Sequence, residues 1–145
     1  MDTHAKVMGI RFPKRTLNET IEQLSGVIAQ NQSKLFHVIT VNPEITMACQ
    51  NDQSLRTIVD EADMITADGI GIVMVSRVKG GNLPERVTGY DTLLRLLESG
   101  NEQGWSFYFL GADPATSEQV RGVREKSSIS LRCPGASAAT RLTLA

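Results

Sequence analysis

Apolar residues along this chain fall in short blocks separated by polar stretches of similar length, and the spacing within the blocks changes from one to the next. Val7 to Phe12 reads as a short opening strand. From Leu17 the period lengthens: Leu17, Ile21, Leu24 and Ile28 lie four, three and four residues apart, so they share one face of a helix, with Glu22, Gln23 and Gln30 toward solvent. Thr16-Leu17-Asn18-Glu19 ahead of the stripe has the pattern of a capping box, in which hydroxyl and carboxylate satisfy helix-start amides.

The block Phe36 to Val41 is rich in β-branched residues and ends at Asn42-Pro43, a helix N-cap followed by the proline that a first helical position favours. A strand, a turn and a helix are expected, and the unit then repeats. The helix runs to about Val59, a strand spans Met64 to Ala67, Asp68-Gly69 turns the chain, and a helix covers Ile70 to Val78. A helix from Asp91 to Gln103 leads into a strand from Trp105 to Leu110, and Asp113-Pro114 opens a last helix to about Lys126. Strands alternating with helices at this spacing predict an α/β fold, a Rossmann-like parallel sheet with helices on both faces. Ligands on such sheets bind at the carboxyl ends of the strands. Asn42, Asp68 and Gly111 all fall there.

Composition narrows the possibilities. With 145 residues, 41% of them hydrophobic, the chain can form a core of its own. Fifteen basic against sixteen acidic residues leave a formal charge of −1, which supplies no global field for nucleic acid or an anionic membrane. Cys49 and Cys133 show no metal-ligand spacing and no disulfide framework, so a reducing cytoplasm is the simplest setting. No run of 18 apolar residues predicts a membrane span. From Ser127 to Ala145 the chain has no Asp or Glu and no clear period. The expected organisation is therefore an α/β domain over residues 1–126 and an atypical tail over 127–145. That tail reads either as disordered or as the accidental end of a shifted frame, leaving the sheet incomplete at its C-terminus.

Several residues have the chemistry of a site. Asp68 follows a buried strand and precedes Gly69-Ile70-Gly71, where a carboxylate meets free helix-start amides; it fits a general base and equally a helix N-cap. Gly69 and Gly71 would let backbone approach a phosphate, or would serve a tight turn and helix packing; no third glycine completes a dinucleotide fingerprint. Arg86, in a loop bounded by Gly80-Gly81 and Gly89, fits two-point binding of a diphosphate, or a surface ion pair with Glu85 or Asp91. Thr40 and Asn42 offer a hydroxyl and an amide on the same edge, although capping alone accounts for Asn42. Glu44 suits a helix start, His4 and His37 precede strands on the far edge, and Glu61-Ala62-Asp63 reads as a solvated turn. No cluster has the spacing of a metal site.

Taken in order, Thr40-Val41-Asn42-Pro43-Glu44, Ala67-Asp68-Gly69-Ile70-Gly71, Leu83-Pro84-Glu85-Arg86-Val87-Thr88-Gly89-Tyr90-Asp91 and Phe109-Leu110-Gly111 resemble the WecG/TagA/CpsF family of bacterial glycosyltransferases, from about Val7 to Lys126. The resemblance implies an inverting enzyme without metal or other cofactor. It would move an N-acetylmannosamine-type sugar from a UDP donor to polyprenyl-diphosphate-linked N-acetylglucosamine, in cell-wall or surface-polysaccharide synthesis. Carried over by position, Asp68 would be the base, Thr40 and Asn42 would line the pocket with Gly69, Gly71 and Gly111, and Arg86 would face the diphosphate. One carboxylate suffices for this chemistry because a nucleoside diphosphate leaves readily. Family members are longer, with a C-terminal segment that helps close the site and meets the membrane, so the resemblance also implies a truncated chain acting at the inner face of the cell membrane.

Two rival expectations stand beside it. Gly69-Ile70-Gly71 after a strand suits a nucleotide-binding module without transferase chemistry. An unfinished sheet suits a non-catalytic fragment that needs a partner or a second copy of itself.

Overall fold

Met8 and Gly9 both take positive φ, 47° and 86°, and this two-residue turn folds the opening apolar run back on itself. Two successive positive-φ residues match the twist of a tight hairpin. The expected single strand over Val7 to Phe12 is therefore two, β1 (His4–Val7) and β2 (Ile10–Pro13), paired antiparallel from His4 opposite Pro13 to Val7 opposite Ile10. Met at the first turn position carries no turn signal, which is why the pattern reads as continuous. The computed structural model describes residues 3–30, 34–110, 131–132 and 139–144. The chain divides into two units, Met1–Leu93 and Leu94–Ala145.

In the first unit the capping box forms as expected: Thr16 accepts from the Glu19 amide, and the Glu19 carboxylate accepts from the Thr16 amide at 2.7 Å. That bond holds the Glu19 carboxyl below its usual range. Helix α1 (Leu17–Ala29) buries Thr20, Ile21 and Leu24, whereas Ile28 is exposed near its C-terminal end. Strand β3 (Val38–Val41) then leads into α2 (Pro43–Ala48), whose N-cap Asn42 accepts from the Ile45 amide at 2.8 Å. The single helix expected to reach Val59 is broken. Asp52 caps a second helix, α3 (Gln53–Glu61), by accepting from the Leu55 amide at 3.0 Å. Strand β4 (Met64–Ala67) and α4 (Ile70–Val78) match the expected bounds, and α5 (Gly89–Gln103) starts two residues early.

β3 and β4 pair in parallel, with Thr40 opposite Thr66 and Val41 opposite Ala67. This is the βαβ unit the alternation predicted, with α2 and α3 as its crossover. The hairpin, β3, β4 and α4 together bury Ala5, Val7, Ile10, Phe12, Val41, Ile65, Ala67, Ile72 and Val73, along with Cys49 and Leu83 from the connections. Phe12, Ile10 and Val41 are fully enclosed.

In the second unit β5 (Ser106–Leu110) pairs antiparallel with β7 (Ala139–Leu144), which also pairs with β6 (Leu131–Arg132). The one parallel sheet expected from the alternation is therefore, among the described residues, three separate sheets of two, two and three strands, and β3–β4 is the parallel one. The fold is a mixed α/β arrangement with a small parallel sheet. A strand such as β5 carries no mark of its partner's direction in its own sequence. The helix expected from Asp113 to Lys126 lies outside the described residues, as does most of the expected tail.

Candidate functional site

The parallel ladder runs one step past the strands. The Asp68 amide donates to the Val41 carbonyl at 3.0 Å, which fixes the aspartate backbone at the carboxyl end of the pair. Its side chain is half-buried, and Oδ2 accepts from the Gly89 amide at 3.1 Å. Gly89 opens α5, where Thr88 Oγ1 accepts from the Asp91 amide at 3.0 Å and donates to Asp91 Oδ2 at 2.7 Å. The Asp68 carboxylate thus sits at the electropositive start of α5. Oδ1 takes no hydrogen bond from a described residue.

Thr40 lies against Gly89. A Cβ built on Gly89 would lie 3.1 Å from Thr40 Cγ2 and 3.3 Å from Thr40 Oγ1, so α5 starts this close to β3 because residue 89 lacks a side chain. Gly89 thus adjoins both Thr40 and Asp68, although the three belong to different segments. Gly89 is the residue that sequence reasoning misses, since its neighbours mark it only as a loop boundary.

Asp68 does not cap α4. The N-cap is Gly69, at φ 117° and ψ 142°, a conformation that disfavours any side chain, and no side chain caps that helix start. The first amides of α4 therefore keep their capacity for an anion. Both glycines have a packing reason as well: a Cβ on Gly69 or Gly71 would come within 3.3 or 3.2 Å of the Pro43 ring. Asn42, next to Pro43, spends its side-chain oxygen on capping α2.

The segment carrying Arg86 is tied down at alternate residues. The Leu83 amide donates to the buried Ser76 Oγ at 2.9 Å, Glu85 Oε1 accepts from the Leu17 amide at 2.6 Å, and the Val87 amide donates to the Ala67 carbonyl at 2.8 Å. Gly89 then reaches Asp68. Arg86 is exposed between the second and third ties. Its expected alternative partners are both engaged elsewhere, Glu85 with Leu17 and Asp91 with Thr88, and among the described residues Arg86 forms no ion pair. Gly111 lies outside the described residues.

The opposite end of β4 differs. A cavity of about 400 Å³ there is lined by His4, Arg11, Arg15, Asp60 and Asp63 among others. Most of its charges are satisfied locally: Arg15 bonds Gln23, Asp60 pairs with Arg56 at 2.7 Å, and Asp63 accepts from the His37 amide at 2.9 Å. The stretch Glu61-Ala62-Asp63 is a largely exposed connection, as expected, and Asp63 also latches the entry of β4 to the start of β3. Glu44 sits in the first turn of α2, as expected of a structural acid. Among the described residues no three His, Cys, Asp or Glu side chains gather as a metal site.

These features define an α/β protein whose candidate site residues Thr40, Asn42 and Asp68 collect at the carboxyl ends of a parallel strand pair. Residues 5–139 match the glycosyl transferase WecG/TagA/CpsF family, and the chain belongs to that family. The match extends past Lys126, the residue at which the resemblance in the sequence is expected to stop. Curated relatives are named N-acetylglucosaminyldiphosphoundecaprenol N-acetyl-beta-D-mannosaminyltransferase. The Bacillus spizizenii protein is 35% identical over 82 residues, 57% of this chain and 32% of that protein. The Bacillus subtilis protein is 34% identical over 91 residues, 63% and 34% of the two chains. A Staphylococcus aureus protein is 24% identical over 115 residues, 79% and 45%. The chain thus spans 32% to 45% of the length of these relatives.

Proposed function

We propose that this chain carries the donor-side portion of a sugar-transfer site, and that the transfer moves N-acetylmannosamine from a UDP donor to polyprenyl-diphosphate-linked N-acetylglucosamine. The observation behind the reading is the half-bound carboxylate of Asp68, with one oxygen held by the amide of Gly89, which lies against Thr40, and the other without a hydrogen bond among the described residues. A base needs this combination of fixed direction and a free lone pair. The relatives' names supply the acceptor and the transferred sugar.

In this reading Asp68 Oδ1 takes the proton of the acceptor hydroxyl as its oxygen attacks the anomeric carbon from the face opposite the nucleotide. The bond from that carbon to the diphosphate oxygen breaks, UDP departs with the electron pair, and the configuration inverts. Arg86 and the uncapped amides at the start of α4 take up the charge that builds on the diphosphate, so no metal is required. Thr40, Asn42, Gly69 and Gly71 line the pocket. The β3–β4 pair forms part of a Rossmann-like parallel sheet with helices on both faces, and the site works at the inner face of the membrane that holds the lipid acceptor. Among the described residues no helix is long and apolar enough to cross a membrane.

Calorimetric titration with UDP, with UDP-N-acetylmannosamine and with NAD tests the donor assignment. Binding of the two uridine nucleotides and not of NAD is expected; NAD binding with no response to either uridine nucleotide overturns the reading in favour of a dinucleotide module. Transfer itself is measured with a short-chain polyprenyl-diphosphate N-acetylglucosamine and chromatography of the product.

A further inference from the structure

Glu85 lies next to the arginine assigned to the diphosphate, yet its carboxylate is turned the other way, onto a helix start. Oε1 accepts from the Leu17 amide at 2.6 Å, a contact between residues 68 positions apart. Leu17 is the first residue of α1, where the capping box already satisfies two other amides, with Thr16 donating to Glu19 and Glu19 donating to Thr16. A helix leaves its first amides without internal partners. The Leu17 amide is one such orphan, and Glu85 satisfies it with a charged acceptor at the electropositive helix end, where short charge-assisted bonds are strongest.

We infer that Glu85 is a positioning residue for Arg86: by clamping its segment to the start of α1, it holds the arginine backbone where the guanidinium meets the donor diphosphate. Leu83 and Val87 are anchored through Ser76 and Ala67. Between those two ties lie Pro84, Glu85 and Arg86, all exposed, and the Glu85–Leu17 bond is the tie that falls between them. Fixing that stretch before the ligand arrives removes an ordering cost from binding. The inference rests on the reading of Arg86 as the diphosphate contact.

A double-mutant cycle on the whole chain, read by UDP affinity and thermal melting, tests it. Arg86→Ala is expected to weaken UDP binding at least tenfold, and Glu85→Ala, which acts at one remove, to weaken it about five- to tenfold, the upper part of the range of one ordinary hydrogen bond. Because Glu85 acts through Arg86, adding Glu85→Ala to Arg86→Ala should cost no further affinity. Glu85→Gln, which keeps the acceptor oxygen, should recover most of the loss. Equal losses from Glu85→Ala in both backgrounds, or no loss in the parent, overturn the inference while leaving the arginine's role intact. If Arg86→Ala itself leaves UDP affinity unchanged, the diphosphate reading of Arg86 fails and the inference with it. Should Glu85→Ala not melt cooperatively, Glu85→Asp, one methylene short of Leu17, replaces it; affinity retained by Asp and lost by Gln overturns the clamp.

Discussion

Strand β4 is flanked by two aspartates, and their surroundings differ in a way that separates structure from chemistry. Asp63, before the strand, accepts from the His37 amide at 2.9 Å and from Lys34 at 3.5 Å, and the amide bond is the main cause of its lowered pKa. It ties the entry of β4 to the entry of β3. Asp68, after the strand, has one oxygen bound by the amide that starts α5 and, among the described residues, no hydrogen bond to the other. The first carboxylate is occupied by the fold, and the second is aimed by it. The same residue type at the two ends of one four-residue strand thus shows why a candidate site residue is picked out by its unspent bonding capacity rather than by the presence of an acid.

The sharpest way to break this contrast is to neutralise each acid in turn. Asp68→Asn is expected to lower transfer by about 10²- to 10⁴-fold, the usual contribution of a positioned base, with UDP affinity held within about twofold. Asp63→Asn should leave the rate per folded molecule unchanged. Equal rates for Asp68→Asn and the parent would remove Asp68 as the base. Gly89→Ala ranks next: its new methyl meets Thr40, and displacing the carboxylate's anchor should lower the rate about 10- to 100-fold. Adding Thr40→Ser, which deletes the Cγ2 lying nearest that methyl at 3.1 Å, should restore part of the loss. No restoration would argue against the steric cause.

Smaller effects concern stability. A carboxylate whose folded pKa lies below its usual value, 3.8 for Asp63, stabilises the fold at pH values above that usual value. The contribution disappears as the pH falls through the lowered folded value. Melting temperatures of the parent and Asp63→Asn should therefore differ at neutral pH and converge in strong acid; a constant gap would mean that the charge is not what holds the latch. The smallest effect expected is none at all: treating the active protein with a chelator should leave transfer unchanged, and loss of turnover restored by a divalent cation would refute the metal-free reading.

What is legible in the sequence depends on how local each signal is. The Thr16–Glu19 box, the Asn42-Pro43 helix start and the bounds of β4 and α4 are written within a few neighbouring residues, and the structure keeps them. The Met8-Gly9 turn escapes such a reading because a methionine at positive φ is selected by packing of the hairpin rather than by turn propensity. The α2–α3 break turns on Asp52 acting as a cap, which one Asp in a polar stretch does not announce. At the site, Asp68 and Arg86 stand out by type and place. Gly89 and Glu85 do not, since they act on residues 21 and 68 positions away. The direction of pairing of β5 depends likewise on a distant strand.

Cys49 is buried in the first unit's core, and burial pushes its thiol up from the usual value. Thiolate is the reactive form, so the closed protein shields this sulfur twice, by contact and by protonation. With Cys133 changed to serine, the rate at which a disulfide reagent consumes the remaining thiol becomes a clock for excursions of the core around Val41 and Val59, one that needs no substrate and ticks whether or not the protein is turning over.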